Sequence, residues 1–171
     1  MRALLAAVIA VFLAVLTFLA FFPGALFAQT LAPAPPSVQR VIVATSASVA
    51  SVLPGGMVSL WADVTPKPSI HVYAPGAKDF QMVTIVVTPQ RGVAFGKPAY
   101  PAGTAMSFPG IPERVPVYEK LFRITQPVTI ARTATSGQTL TIAGAVNYQA
   151  CDDRVCFPPA SVPVMWTLRI Q

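Results

Sequence analysis

The stretch TLTIAGAVNY, residues 139–148, decides the fold class because its side chains alternate with a period of two. Threonine and asparagine side chains stand between the apolar positions and point to the opposite face. A period of two is typical of a β-strand that buries one face. The side chains assigned to the buried face are Leu140, Ile142, Gly144, Val146 and Tyr148.

Two runs before this stretch and one after it show the same alternation of apolar and polar residues. Turn residues separate such runs about every ten positions. Trp61 is the exception, because it falls on the polar face of its run. No stretch after the N-terminal segment has a helical period. The sequence therefore predicts an all-β fold, an immunoglobulin-like two-sheet β-sandwich of seven to nine strands. The apolar positions are Val58, Leu60, Ala62 and Val64; Val83, Ile85 and Val87; and Val162, Val164, Trp166, Leu168 and Ile170.

The only two cysteines, Cys151 and Cys156, lie just after this stretch. A disulfide between them closes a ring of six residues, for which the chain-entropy model gives only about 2 kcal/mol. Pro158 and Pro159 follow and cannot continue a regular ladder. These features favour a disulfide exposed at a turn and open to exchange, rather than one kept for stability.

The run YQACDDRVCFPP, residues 148–159, resembles the signature of the N-terminal periplasmic domain of the thiol:disulfide interchange protein DsbD. IHVYAPG at residues 70–76 resembles the early aromatic-rich strand of that family. VYE at 117–119 and QPVTI at 126–130 resemble its middle. The resemblance extends from about Ser46 to Ile170.

The resemblance implies roles for both cysteines. Cys156 forms mixed disulfides with donor and acceptor proteins, and Cys151 resolves them. It also implies a loop that covers the disulfide until a partner displaces it. Residues 100–113 are too rich in Pro and Gly for a strand. Within this segment Phe108 is the candidate for the covering residue, with Ile111 as the alternative. An ordinary connection between strands is the competing interpretation.

Several polar and aromatic residues are candidates for shaping the site or moving protons: Tyr148, Asp152, Asp153, Phe157 and Glu119. The two aspartates disfavour a thiolate at Cys151 by like-charge repulsion, which Arg154 partly offsets. This predicts a relay whose disulfide is attacked by an external thiolate. Solvated turn carboxylates are the alternative for both aspartates. His71 is expected to be a half-buried strand residue unless the fold brings it close to the cysteines.

The N-terminal region predicts export. Residues 3–22 form an unbroken apolar run after a single arginine, which is typical of a signal peptide but also long enough to span a bilayer. We therefore assign residues 1–28 to a signal peptide or N-terminal membrane anchor, with a hydrophobic helix. Residues 29–39 form a Pro-rich linker, and residues 40–171 a DsbD N-terminal-like β-sandwich domain.

Composition excludes other classes of function. The formal net charge is +6, but the basic residues are scattered and form no cluster typical of nucleic-acid binding. One histidine and no hydrolase motif leave no triad or zinc site. We predict no cofactor and no resident metal. A Cu(I) carrier built on the two cysteines, His71 and methionines stays a minor alternative, because the methionines are dispersed.

The leading hypothesis is a periplasmic thiol–disulfide relay, a protein-disulfide reductase component. The Cys151/Cys156 pair would receive electrons from a membrane-embedded thiol reductase on a separate chain. It would pass them to periplasmic thioredoxin-fold proteins, either disulfide isomerases or those of cytochrome c maturation. An immunoglobulin-like interaction module with an inert disulfide is the alternative from another class.

Overall fold

The computed structural model describes residues 38–171, and in this range every regular element is a strand. No helix long and apolar enough to cross a membrane occurs among these residues. The strands are β1 (Val41–Ala47), β2 (Ser51–Val52), β3 (Met57–Pro66), β4 (His71–Tyr73), β5 (Thr84–Val87), β6 (Val93–Phe95), β7 (Thr104–Met106), β8 (Val115–Tyr118), β9 (Phe122–Ile130), β10 (Thr139–Tyr148), β11 (Ala150–Cys151) and β12 (Ala160–Ile170).

The strands form three sheets of four strands each. Sheet A has the order β1-β3-β9-β6, sheet B the order β2-β12-β10-β5, and sheet C the order β11-β4-β8-β7. All pairings are antiparallel except β2 with β12. Side chains of sheets A and B share one hydrophobic core, as in an immunoglobulin-like sandwich.

The long strands follow the predicted alternation because one face of each packs on the core. In β3 and β12 every second residue is buried. Trp61, on the outer face of β3, is covered by the guanidinium of Arg123 at 4.3 Å from the ring centroid. Arg123 also donates two hydrogen bonds, of 2.6 and 2.7 Å, to Asp63. The Trp61 carbonyl accepts a bond of 2.9 Å from the indole N–H of Trp166, which links sheets A and B.

Sheet C has two apolar faces. Val72 and its neighbours across the sheet, Tyr118 and Ala150, pack on the core shared by sheets A and B. On the opposite face Tyr73 and Val117 are paired and belong to a separate cluster. Sheet C therefore divides the main core from a second, smaller apolar cluster, which contains Cys151.

The structure confirms the all-β, immunoglobulin-like prediction and corrects three of its details. The described residues form three sheets instead of two, because the short strands β4, β7, β8 and β11 make up sheet C. Twelve strands are present instead of seven to nine, because several have only two to four residues. The prediction that residues 100–113 contain no strand is wrong for Thr104–Met106, which pairs with β8. The predicted signal peptide or anchor, and the linker up to residue 37, lie outside the described residues.

A truncation of Leu60 tests the position of the core. Leu60 is fully buried, so Leu60→Ala is expected to lower the free energy of unfolding by about 2–5 kcal/mol through lost burial and a residual cavity. The same change at Leu53, which is 61% exposed, is expected to alter it by about 0.5 kcal/mol or less. Urea denaturation measures both. Equal effects would contradict the assignment of this core.

Candidate functional site

The two cysteines lie on a tight hairpin that extends from sheet C. Cys151 ends β11 and pairs with His71 of β4, and the chain returns at Cys156 through an antiparallel bridge. The N–H of Phe157 donates to the carbonyl of Ala150 at 2.9 Å and closes the hairpin. Cys151 and Cys156 are joined by a disulfide of 2.03 Å, as the sequence predicted for an exported pair.

The two half-cystines differ sharply in exposure. Cys151 is 1% exposed, whereas Cys156 belongs to the exposed residues of the turn. An attacking thiolate must approach a disulfide sulfur in line with the S–S bond, so access controls which sulfur reacts. Of the two residues, Cys156 is therefore the accessible one and Cys151 the internal one.

Tyr73 lies directly at the disulfide. Its hydroxyl oxygen is 3.3 Å from the sulfur of Cys151 and 3.4 Å from that of Cys156. Because disulfide sulfurs carry no hydrogen, the hydroxyl is the donor in this state. Burial raises the pKa of Tyr73, so the hydroxyl keeps its proton at neutral pH. Phe80 stacks on the Tyr73 ring with centroids 4.3 Å apart and holds it in place.

A second apolar cluster, here called the site cluster, surrounds the buried sulfur. Its members come from sheet C, from the loop after β4 and from the loop between β7 and β8. Phe108 and Ile111, both candidates for covering the disulfide, pack against it, and the ring of Phe108 lies 4.8 Å from that of His71. The members are Tyr73, Val115, Val117 and Cys151, with the partly buried Ala77, Phe80, Met106, Phe108 and Ile111.

The loop carrying Phe108 and Ile111, residues 107–114, is here called the cap loop. At its tip the N–H of Ile111 donates to the Phe108 carbonyl at 3.1 Å, around Pro109 and Gly110. Proline at the second position and a glycine with φ of +81° at the third are the requirements of a type II turn. At its base Arg114 donates to the carbonyl of Ala105 at 2.7 Å. Hydrogen bonds thus hold the cap loop at its tip and at its base.

The two aspartates of the hairpin behave differently. One carboxylate oxygen of Asp152 accepts the backbone N–H groups of Arg154 at 2.8 Å and Val155 at 2.9 Å. The hydrogen bonds from Val155 and Arg154 lower the pKa of Asp152, so it stays ionised and orders the turn. Asp153 is exposed. The structure gives Asp152 a local structural contact and leaves Asp153 facing solvent.

Phe157 and Tyr148 lie behind the hairpin, on its main-core side. The Arg40 guanidinium sits 3.3 Å from the centroid of the Phe157 ring. Tyr148 is 1% exposed, and its hydroxyl accepts the backbone N–H of Arg40 at 3.0 Å. Both aromatic side chains pack with the main core rather than with the site cluster. Of the predicted residues, the structure thus brings Phe108, Ile111 and the two cysteines together, but neither Tyr148 nor Phe157.

A family model described as "Thiol:disulfide interchange protein DsbD, N-terminal" matches residues 38–164, which is most of the chain. The chain belongs to this family. It is the family that the sequence of the hairpin resembles, and its match covers all three sheets. No curated protein sequence matches the chain.

Two solved structures are similar to the chain. One is the reduced DsbD N-terminal domain of Neisseria meningitidis, with 14% identity and a TM-score of 0.47, covering 74% of this chain and 90% of that one. The other is the N-terminal periplasmic domain of ScsB from Proteus mirabilis, with 16% identity and a TM-score of 0.47, covering 80% of this chain and 49% of that one.

Membership of the DsbD N-terminal family and the Cys151–Cys156 disulfide together fit thiol–disulfide interchange. Among residues 38–171 no three His, Cys, Asp or Glu side chains are grouped as they would be around a metal ion.

The sequence prediction missed Tyr73 and gave His71 a minor role. Both lie on the same face of β4 because they are two residues apart, and this face looks toward Cys151. His71 is 4% exposed, not half-buried as expected. The HVY run could have indicated both residues, because in a strand paired with the hairpin its first and third side chains lie on the face of Cys151. Glu119, another candidate, is exposed, and its charge acts on His71 from the end of β8.

Substitution of Asp152 tests the order of the turn. Asp152→Ala removes the acceptor of two N–H groups, so we expect a lower free energy of unfolding, while Asp153→Ala changes it less. The pKa of Asp152 is depressed below its ordinary 3.8, so its contribution is present above that pH and is lost as the pH falls through the lower, folded value. Denaturation at several pH values measures this difference. A difference that does not shrink as the pH falls below 3.8 would contradict the charge-based part of the argument.

Proposed function

We propose that this protein is a periplasmic thiol–disulfide relay. Its Cys151/Cys156 pair receives two electrons from a membrane-embedded thiol reductase and passes them to oxidised periplasmic thioredoxin-fold proteins. Those acceptors are disulfide isomerases or proteins of cytochrome c maturation. The observation that carries the proposal is the disulfide of a DsbD N-terminal family member, with one exposed and one buried cysteine.

In the donating half of the cycle the reduced pair meets an oxidised partner. The thiolate of Cys156 attacks one partner sulfur, the partner's S–S bond breaks, and the second partner sulfur leaves as a thiolate that takes up a proton. A mixed disulfide now joins Cys156 to the partner. Cys151 then attacks Cys156, and the partner leaves with both electrons, while the Cys151–Cys156 bond forms again. The exposure of Cys156 supports this order of events.

Re-reduction reverses these steps with the donor thiol as the attacking group. The donor attacks Cys156, and Cys151 leaves as a thiolate inside the site cluster. The Tyr73 hydroxyl, 3.3 Å from that sulfur, is placed to donate a hydrogen bond to the developing negative charge. Hydrogen bonds to ionised acceptors are roughly twice as strong as neutral ones, so Tyr73 eases this departure.

The cap loop limits access to this chemistry. Phe108 and Ile111 pack on the site cluster, and Phe108 also covers His71. Cys156 is exposed, but attack on its sulfur must come in line with the S–S bond, so in the proposed cycle a partner displaces the cap loop to open that approach. Thiols without a complementary surface react slowly, which keeps the electrons for the correct acceptors.

Serine substitutions at the two cysteines test the relay. Cys156→Ser is expected to abolish electron transfer to a thioredoxin-fold acceptor, because no exposed thiol remains for the first attack. Cys151→Ser leaves that attack intact and should accumulate the mixed disulfide. Non-reducing gel electrophoresis and mass spectrometry of mixtures with an oxidised acceptor measure both. Each variant should lose only about 2 kcal/mol of stability, because the disulfide ring is short.

An inert interaction module would give a different pattern. Both variants would then bind partners as the wild-type protein does, and Cys151→Ser would trap no mixed disulfide. A mixed disulfide that forms through Cys151 in the Cys156→Ser variant, at the wild-type rate, would contradict the assigned order of the cysteines.

Removal of the Phe108 ring tests the cap. The closed state loses about 1.5 kcal/mol of apolar burial in Phe108→Ala, so we expect the oxidised disulfide to react about tenfold faster with dithiothreitol. Ile111→Ala shows whether the alternative residue shares this role. Ile42→Ala, at a residue 61% exposed on sheet A, is the control and should leave the rate unchanged. Equal rates in all four proteins would contradict a shielding role.

A further inference from the structure

His71 is a buried polar side chain with an unsatisfied nitrogen. It is 4% exposed, and its Nε2 atom has no hydrogen-bond partner among residues 38–171. A buried polar atom without a partner costs free energy comparable to a lost hydrogen bond, and such atoms are rare in folded proteins. The protein carries this cost at its only histidine, inside the site.

His71 lies next to Cys151 in sheet C. The two residues are direct cross-strand partners in the β4–β11 ladder, and such partners have Cβ atoms about 4.5–5.5 Å apart on the same face. The Phe108 ring covers the imidazole, and Tyr73 meets it edge-on with centroids 5.8 Å apart. His71 is thus enclosed between the cap loop and the residues that touch the disulfide.

The charge state of His71 suits a proton acceptor. Burial lowers the pKa of His71 from its ordinary 6.5, and the charges of Glu119, Asp153 and Asp152 oppose that shift without reversing it. The imidazole is therefore neutral at neutral pH, with one nitrogen able to accept a hydrogen bond. The other titratable or charged groups on β4, β8, the cap loop and the hairpin are Tyr73, Tyr118, Glu113, Arg114 and Arg154.

We propose that His71 is the proton acceptor for Cys151 in the resolving step of disulfide exchange. The inference deepens the proposed relay and depends on it. The Cys151 thiol gives its proton to Nε2 of His71, and the resulting thiolate attacks the Cys156 sulfur. The bond between Cys156 and the partner breaks, and the partner thiolate leaves with the bonding pair. It then takes the proton from the imidazolium, so His71 returns to its neutral form.

This role accounts for the unsatisfied nitrogen. In the oxidised protein Cys151 carries no hydrogen, and its sulfur, held in the disulfide, makes no hydrogen-bond contact with Nε2. Reduction creates an S–H group on the neighbouring strand, directly opposite His71. In the proposal, Nε2 accepts a hydrogen bond in the reduced and mixed-disulfide states. The free-energy cost of leaving it without a partner applies only to the oxidised state.

Exchange with glutathione disulfide separates the two steps. Reduced protein first forms a glutathione mixed disulfide at Cys156, at a rate that depends on glutathione disulfide concentration. The decay of this intermediate reports attack by Cys151 alone. Acid quenching and mass spectrometry follow both species between pH 5 and pH 9, in the wild-type protein and in His71→Phe. The phenylalanine keeps an aromatic ring beneath Phe108 but removes the acceptor.

The pKa of His71 lies below the ordinary value of 6.5. For the wild-type protein we therefore expect the decay rate to rise with pH up to the pKa of His71 and to stay constant at higher pH. In His71→Phe the rate should fall about 100-fold at pH 7, which is the usual scale for a lost general base. It should then rise with pH toward the ordinary cysteine pKa of about 8.5 and approach the wild-type rate there. The rate of mixed-disulfide formation should stay unchanged.

Parallel pH profiles for the two proteins would overturn the proposal, even if the variant were slower. The substitution would then have changed the structure of the site without removing a proton acceptor. If His71→Phe fails to fold, the wild-type protein decides: the bend in its decay profile must coincide with the His71 pKa measured by NMR, and a mismatch overturns the proposal. Failure of the reduced wild-type protein to become oxidised, with glutathione disulfide and with an oxidised thioredoxin-fold acceptor, would overturn the relay itself, and with it this inference.

Discussion

The backbone pairing of β4 with β11 is the constraint on which the site depends. Only two residues of β11 take part, yet they fix Cys151 opposite His71 and Ala150 opposite Val72. Because side chains alternate across a sheet, the same ladder directs Val72 into the main core and His71 toward the buried sulfur. One short ladder thus joins the stability of the sandwich to the geometry of the disulfide.

The hairpin places its two cysteines in different surroundings. Cys151 is held in a strand and enclosed by the site cluster, whereas Cys156 stands where the chain turns back toward the core. Asp152 orders the turn between them through backbone hydrogen bonds, and Arg40 packs on Phe157 at its exit. The asymmetry of the pair comes from the backbone path and needs no difference in the chemistry of the two residues.

Much of the sandwich could be predicted from sequence, because β3, β10 and β12 are long enough to display a clear period of two. Sheet C could not, since its strands have two to four residues and are positioned by partners far along the chain. The cysteines were identified by residue type and spacing. Tyr73 was missed because a single tyrosine in a three-residue strand gives no signal until that strand's neighbour is known.

The hydrogen-bonded ends of the cap loop have a thermodynamic consequence. Its tip is fixed by the turn around Pro109 and Gly110, and at its base Arg114 bonds to Ala105 of β7, so in the proposed cycle the loop can open without breaking the turn at its tip. In the proposed cycle the main cost of opening is the hydration of Phe108, Ile111 and the surfaces beneath them. Hydration of apolar surface raises the heat capacity. Access to the disulfide should therefore vary with temperature along a curve rather than a straight Arrhenius line.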